Sequence, residues 1–285
     1  MEDKLTNTTS TQSLFDTPEL HKDIENRIMP QPVSIILPNY KTPDLTRLCL
    51  RSLRKYTPHD AIQIFVVDNA SGDESLDYLR SLDWIRLIER TPADIDGMAP
   101  ALMHTTAMDL ALKEVDTPFV LSFHTDTIVY SPDWLDFLLG RIKRDEKIAG
   151  VGSWKLEYIP PAKRFGKGIE DGIKQLFGKK KPEYRFLRSH CALYRTELLK
   201  KHTRGFGDGE CAGSSIHRCL TAAGYDMEFI PPEILIKYMD HLNHATMILN
   251  PAIGSRKTAA PKARQSLESR LERYRAILAD DSLDK

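Results

Sequence analysis

The chain has 285 residues, with 40 basic and 40 acidic side chains, so its formal net charge is zero and no global field marks it for a nucleic-acid partner. Apolar residues make up 41% and charged residues 28%, the balance of a soluble globular protein long enough to bury a sizeable core. The four cysteines contain no CxxC pair, the first thirty residues carry no apolar leader, and no run approaches the roughly 20 apolar residues of a membrane span, so a cytoplasmic protein with reduced thiols is expected.

Residues 1–30 are polar and end in "MPQP", which predicts a mobile N-terminal arm. The ordered fold is expected to start at "VSIILP", a β-branched run typical of a fully buried strand. Thr42 and Pro43 then offer an N-cap and a first helical position, and Leu45, Leu48, Cys49 and Leu53 fall on one helical face. A second strand, "AIQIFVVDNA", leads to a helix with Leu76, Leu79 and Leu82 inward, then to a short strand "IRLIER". An Ala- and Met-rich helix, "GMAPALMHTTAMDLALKEV", precedes the strand "PFVLSF". Strands and helices alternating at this rhythm predict an α/β fold with a doubly wound, mostly parallel sheet.

The second half is less regular. A helix beginning at Ser131 and Pro132, a strand in "AGVGSWKLEY", a loop-like insert over 160–182 and a strand-to-helix unit in "HCALYRTELLKKH" are expected in turn. "GSSIHRCLTAAGY" predicts a helix ended by Gly224, and "MEFIPP" a further strand. The tail over 256–285 carries an apolar stripe of Leu267, Leu271, Tyr274 and Leu278, which could pack on the domain or pair with a second copy.

Ligands of such sheets bind beyond the carboxyl ends of the strands. Three polar groups converge on that edge: Pro38-Asn39-Tyr40, Asp68-Asn69 and His124-Thr125-Asp126. No GxGxxG follows the first strand and no Walker sequence occurs, so a phosphate bound there needs other neutralisation, most simply a divalent cation on carboxylates.

The blocks "VSIILPNYKTPDLTRLCLRSL", "IFVVDNASGDES" and "PFVLSFHTDTIVYSPDWL" resemble family 2 glycosyltransferases of the GT-A fold, well over residues 32–140 and more loosely to about 250. The resemblance implies one domain over 31–255, with a nucleotide-binding half at 31–130 and an acceptor half at 131–255. It implies a nucleotide-sugar donor bordered by Pro38, Asn39, Tyr40, Asn69, His124 and Thr125, with Asp68 on the base and His124 able to hydrogen-bond the ribose or a metal-bound water. Asp126 matches the last carboxylate of the family's DxD metal motif, whereas His124 replaces the first, a departure that suits Mn²⁺ better than Mg²⁺. A late histidine usually completes that site; His241 and His244 are the candidates and would share a face if helical.

The family's catalytic base lies in an acidic pair ahead of a helix, and here an ungapped match puts Cys211 and Ala212 on that pair. Glu210, with Asp208 second, is the expected base, on a glycine-rich loop. Between Lys163 and Lys181 basic residues alternate with apolar ones, which could serve an anionic membrane surface, a lipid-phosphate acceptor, or a loop over the acceptor cleft. The expectation is a metal-dependent, inverting transfer of a sugar to a glycan or glycolipid in cell-surface polysaccharide assembly. The alternative is a non-catalytic nucleotide-sugar or glycan-binding relative.

Overall fold

Seven successive buried residues, Val33–Asn39, form β1, and their alternation decides the layering: Val33, Ile35 and Leu37 enter one core and Ile36 the other. The computed structural model describes residues 33–156, 184–207, 211–253, 258 and 260–285, all within one compact unit. The expected arm at 1–30, the insert at 160–182 with its basic stretch 163–181, and both Asp208 and Glu210 lie outside the described residues.

After β1 come α1 (Pro43–Tyr56), β2 (Ile62–Asp68), α2 (Glu74–Arg80), β3 (Ile85–Glu89), a single turn α3 (Pro92–Ile95) and α4 (Pro100–Glu114). Next are β4 (Phe119–Phe123), β5 (Thr127–Val129), α5 (Trp134–Ile142), β6 (Ile148–Gly152), β7 (Cys191–Arg195) and α6 (Thr196–His202). The chain closes with α7 (Ser214–Ala222), β8 (Asp226–Phe229), α8 (Pro232–Leu235), β9 (Met239–His241), α9 (Ala245–Leu249), α10 (Pro261–Leu271) and α11 (Arg275–Leu278). The main sheet has seven strands in the order β3-β2-β1-β4-β7-β6-β8, and β5 pairs with β9 in a separate ribbon.

Two features of this order make a cleft. The chain runs outward through β1, β2 and β3, then returns to place β4 on the other side of β1, a topological switch point. Pairing of β1 with β4 ends at Ile36↔Ser122, so Leu37, Pro38 and Asn39 diverge from the end of β4. Pro38 lacks an N–H and falls where that ladder has already ended.

The sheet departs from parallel at β7, which lies antiparallel between β4 and β6. Phe123 at the end of β4 is therefore opposite Cys191 at the start of β7, and the residues just before β7 arrive at the cleft. Gly152 is needed for this close pairing: a Cβ there would come within 2.6 Å of the Cys191 carbonyl oxygen.

Local expectations meet tertiary demands in several places. Leu45, Leu48, Cys49 and Leu53 of α1 are fully buried, and Gly224 adopts a left-handed φ of 88° just after α7. Leu79 and Leu82 are buried, whereas Leu76 is only half-buried. Thr42 does not cap α1; its buried hydroxyl turns inward to Asn39 and Thr46. Ser131 and Pro132 precede a helix that starts only at Trp134.

The C-terminal stripe is spent within the chain. Leu267 and Ile277 join the core beneath α1, with Leu271, Tyr274 and Leu278 packed against it. Arg51 of α1, buried, grips Asp284 and the Leu278 carbonyl, while the Tyr78 hydroxyl donates to Asp284 at 2.8 Å and the Trp84 indole to its carbonyl at 3.0 Å. Among the described residues no helix is long and apolar enough to cross a membrane.

Burial opposes the charge on Asp284, yet hydrogen bonds from Arg51 and Tyr78 hold its carboxyl below the usual range. Asp284→Ala is expected to lower stability by about 1–2 kcal/mol in urea unfolding at pH 7. Because the folded value is depressed, this contribution is full above the unfolded carboxylate value of about 4 and fades as pH falls through the folded one. The wild-type and variant unfolding curves should converge there.

Candidate functional site

The turn after β4 carries the polar residues His124, Thr125 and Asp126, closed by a hydrogen bond from the Thr127 amide to the His124 carbonyl. Asp126 then leads into β5, whose antiparallel partner β9 sets Thr127 opposite His241, while the Asp126 carbonyl accepts from the Leu242 amide at 2.7 Å. This register brings His241 Nε2 to 3.2 Å from Asp126 Oδ1, and His124 Nδ1 lies 3.7 Å from the same oxygen. His241 is therefore a strand residue pointing inward. His244, expected beside it on a helical face, sits instead at a left-handed φ of 63° at the start of α9, exposed at the cleft rim.

Three side chains that were not singled out from the sequence complete the cluster. Ser189 Oγ lies 2.9 Å from His124 Nε2, and 3.5 Å from His104 Nε2 on α4. His190 stacks on His241 with ring centroids 4.6 Å apart, and its Nε2 pairs with Ser153 Oγ at 2.9 Å. Their sequence signal is weak: "RSH" ahead of β7 and a lone His in an apolar helix mean little until β7 is known to run antiparallel.

The electrostatics centre on one carboxylate. Burial works against the charge of Asp126, but His241, His124 and His190 outweigh it and hold the acid ionised well below the usual range. Burial brings His104 down to about 4, and burial with neighbouring imidazoles keeps His124 and His190 well below the ordinary value. His241 is the exception: burial would lower it, but Asp126 raises it.

The donor set fits a divalent cation. One ligand atom each from His124, Asp126 and His241 all lie within 4.8 Å of one another. With His124 Nε2 engaged by Ser189, its Nδ1 is left for the Asp126 side, the usual division of an imidazole between a ligand and a supporting group. Both ring nitrogens of His241 are buried without an aligned hydrogen bond, and coordination would satisfy one of them. Neutral imidazoles with a carboxylate suit Mn²⁺ and later transition ions better than Mg²⁺.

Above this cluster is a cleft of about 470 Å³. Pro38, Asn39, Tyr40, Asn69 and Thr125 line it together with Asp126, His124 and both late histidines. A shallower depression of about 600 Å³ adjoins it through Tyr40, Pro100 and Met103.

Asp68 stands apart from its sequence expectation as a base contact. It is fully buried, and its oxygens accept from Asn39 Nδ2 at 2.6 Å, Ser71 Oγ at 2.6 Å and the Ser71 amide at 2.9 Å. Asn39 is equally committed, since its Oδ1 accepts from Thr46 Oγ1 at 2.6 Å. These two residues tie the ends of β1 and β2 together beneath the cleft; Asn39 and Asn69 line it, and Asp68 does not.

Of the loop expected to carry the base, the flanks are described. Asp109 of α4 accepts from the Phe206 amide at 2.6 Å and the Gly207 amide at 2.9 Å; a Cβ on Gly205 would come within 2.2 Å of its Oδ1. On the far side, Cys211 and Ala212 line the cleft.

A family model described as glycosyl transferase family 2 matches residues 34–203, more than half of the chain. The chain belongs to this family. Its fold is GT-A, shared with the mannosyltransferase PcManGT from Pyrobaculum calidifontis, solved with GDP-Man and Mn²⁺: TM-score 0.52 at 19% identity, over 72% of this chain and 56% of that one. S. aureus TarS 1–349 matches with TM-score 0.47 at 19% identity, over 78% of this chain and 64% of that one. The family 2 chain thus spans less than two thirds of either structure. No curated protein sequence matches it. In this family 2 member the metal-ligand candidates come from both sides of the match boundary: His124 and Asp126 within it, His241 beyond.

The Asp68 network makes a distinct prediction. Asp68→Ala should cost about 2–4 kcal/mol of stability in urea unfolding, because it leaves Asn39 and Ser71 buried without their acceptor. A residue serving only to contact ligand would leave the unfolding midpoint unchanged.

Proposed function

We propose that this chain is a metal-dependent glycosyltransferase that moves a sugar from a nucleotide donor to a hydroxyl of a glycan or glycolipid, with inversion, in cell-surface polysaccharide assembly. The observation that carries this reading is the His124, Asp126 and His241 group at the floor of a cleft at the β1/β4 switch point. A divalent cation held there would neutralise charge on the departing nucleoside diphosphate.

The chain's own residues supply the rest. Pro38, Asn39, Tyr40, Asn69 and Thr125 border the donor, with Tyr40 reaching into the adjoining depression. His104 and His190, kept neutral by burial, leave Asp126 as the charge that fixes the site. Glu210, with Asp208 second, takes the proton from the attacking hydroxyl; this assignment is supported by its neighbour Cys211, which lines the cleft, and by Asp109 anchoring the chain up to Gly207. The basic stretch 163–181 would hold the protein at the inner face of a membrane or meet an acceptor's phosphate.

The second reading, a non-catalytic nucleotide-sugar binder, is favoured by His124 in place of the first DxD carboxylate and by Cys211-Ala212 where the family has its acidic pair. Thermal shift and calorimetry against UDP-, GDP- and dTDP-sugars, each with Mn²⁺, Mg²⁺ or chelator, separate binding from its absence. A cation-dependent shift with one donor, lost in Asp126→Ala and His241→Ala, is the expected outcome. Product analysis then separates catalysis from binding: Glu210→Gln should keep donor binding and lower turnover by about 10²–10⁴-fold. Donor bound tightly by the wild type with no transfer or hydrolysis would favour the second reading.

The C-terminal helix enters the same test. Arg270 of α10 donates to Asp240 Oδ1 at 2.6 Å and to the His241 carbonyl at 2.9 Å, and Tyr274 donates to Asp240 Oδ2 at 3.0 Å. Arg270→Ala, folded by circular dichroism, should bind Mn²⁺ about tenfold more weakly, the usual scale for loss of support behind a ligand. The exposed Arg264→Ala on the same helix should match the wild type.

A further inference from the structure

We propose that Arg188 is the phosphate-recognising residue of the cleft, taking phosphate oxygens presented beside the Asp126 group. The inference deepens the reading above by assigning a residue and a ligand chemistry to the wall of the cleft that carries Arg188.

Arg188 stands at the tight turn that delivers β7 to the cleft. Its amide donates to the Ser153 carbonyl at 2.9 Å, its carbonyl accepts from the Cys191 amide, and the next residue, Ser189, touches His124. The backbone is thus fixed on both sides of a residue whose side chain is exposed to the cleft. The guanidinium is held by aromatic faces: 5.1 Å from the Trp154 ring centroid and 5.4 Å from that of Phe186, the two rings packed edge to face at 5.0 Å. Stacking of this kind fixes the plane of the group and leaves its N–H edges for a ligand.

Three arginines that are not exposed spend their donors within the fold. Arg90 donates to Asn69, Thr106 and the Met103 and Asp94 carbonyls; Arg195 donates to the Ile142 and Ile148 carbonyls; Arg270 is engaged by Asp240. Among the described residues nothing accepts from the side chain of Arg188. A planar cation fixed in a concave site with its donors unspent is preorganised for a forked contact to an oxyanion.

Charge points the same way. Asp126 is the one carboxylate, and Arg188 the one arginine or lysine, among the described residues that line the cleft. Among the described residues, and with the imidazoles neutral, Asp126 and Arg188 balance, and a divalent cation would add two positive charges, the complement of a phosphate group. The phosphate has two sources. It belongs to the departing nucleoside diphosphate, or to an acceptor that carries phosphate near its attacking hydroxyl.

Calorimetry separates them with pyrophosphate and inorganic phosphate as probes, on wild type, Arg188→Ala and Arg188→Lys, with the exposed Arg275→Ala as a charge control. Each variant is first checked for folding by its melting curve. If the diphosphate is the source, Arg188→Ala weakens pyrophosphate binding in the presence of Mn²⁺ tenfold or more. If the acceptor is the source, pyrophosphate binding holds, but inorganic phosphate binding at saturating pyrophosphate and Mn²⁺ is lost. In either case Arg188→Lys recovers only part of the affinity, Arg275→Ala recovers all of it, and the affinity for Mn²⁺ alone is unchanged. Equal binding of both anions by wild type and Arg188→Ala overturns the proposal and leaves the metal reading standing. A wild type that binds neither Mn²⁺ nor pyrophosphate overturns the metal reading instead; Arg188 then keeps its role only if inorganic phosphate still binds and depends on it, and loses it otherwise.

Discussion

The contact between Asp126 and His241 is the constraint on which the site depends. The two residues are remote in sequence and reach 3.2 Å only because the short ribbon of β5 and β9 pairs Thr127 with His241 and ties the Asp126 carbonyl to Leu242. A carboxylate this buried is costly to desolvate, and the surrounding imidazoles make its ionised form tolerable. A ribbon with three residues on each strand has little stability of its own, so it must be braced from outside. The brace comes from Ser52 of α1, whose hydroxyl accepts from the Val129 amide at 3.2 Å, and from Arg270 and Tyr274 on Asp240.

A second level of organisation lies under the cleft. Asn39 and Asp68 end adjacent parallel strands, and their side chains bond across to each other and to Ser71, Ser75 and Thr46. Such a network is favourable only when complete, because a partly satisfied one leaves buried donors without acceptors. Here it replaces the glycine-rich turn found in dinucleotide-binding sheets as the device that shapes the first strand-to-helix connection.

The fold was readable wherever the determining information is local. The β1 run, the stripe of α1 and the left-handed Gly224 each follow from a few neighbouring residues. The motif blocks around Asn39, Asp68 and Asp126 pointed to one edge because parallel strands share a carboxyl end. What could not be read is what long-range pairing decides. Strand β7 looks like any other strand until its partner's direction is known, and that direction is what carries Ser189 and His190 into the site. His241 illustrates the same limit: its spacing from His244 suggested one helical face, while pairing with β5 made it a strand residue and left His244 at the rim. Thr42 carried a good capping signal but was drawn into the Asn39 network, where burial made its hydroxyl more useful.

The family match ends at residue 203, yet the architecture does not. A fragment cut there would keep His124 and Asp126 but lose His241, the strand opposite β5 and the helix that covers α1. Leu45, Leu48 and Leu53 share their core with residues beyond the cut, so such a fragment would expose an apolar face and tend to aggregate. Swapping the segment after residue 203 between family members would therefore exchange His241 and its strand while leaving His124 and Asp126 in place. Any join between β5 and β9 takes the two strands of the ribbon from different parents, so a chimera that keeps the contact between Asp126 and His241 within one parent must join ahead of Asp126 or beyond Leu242.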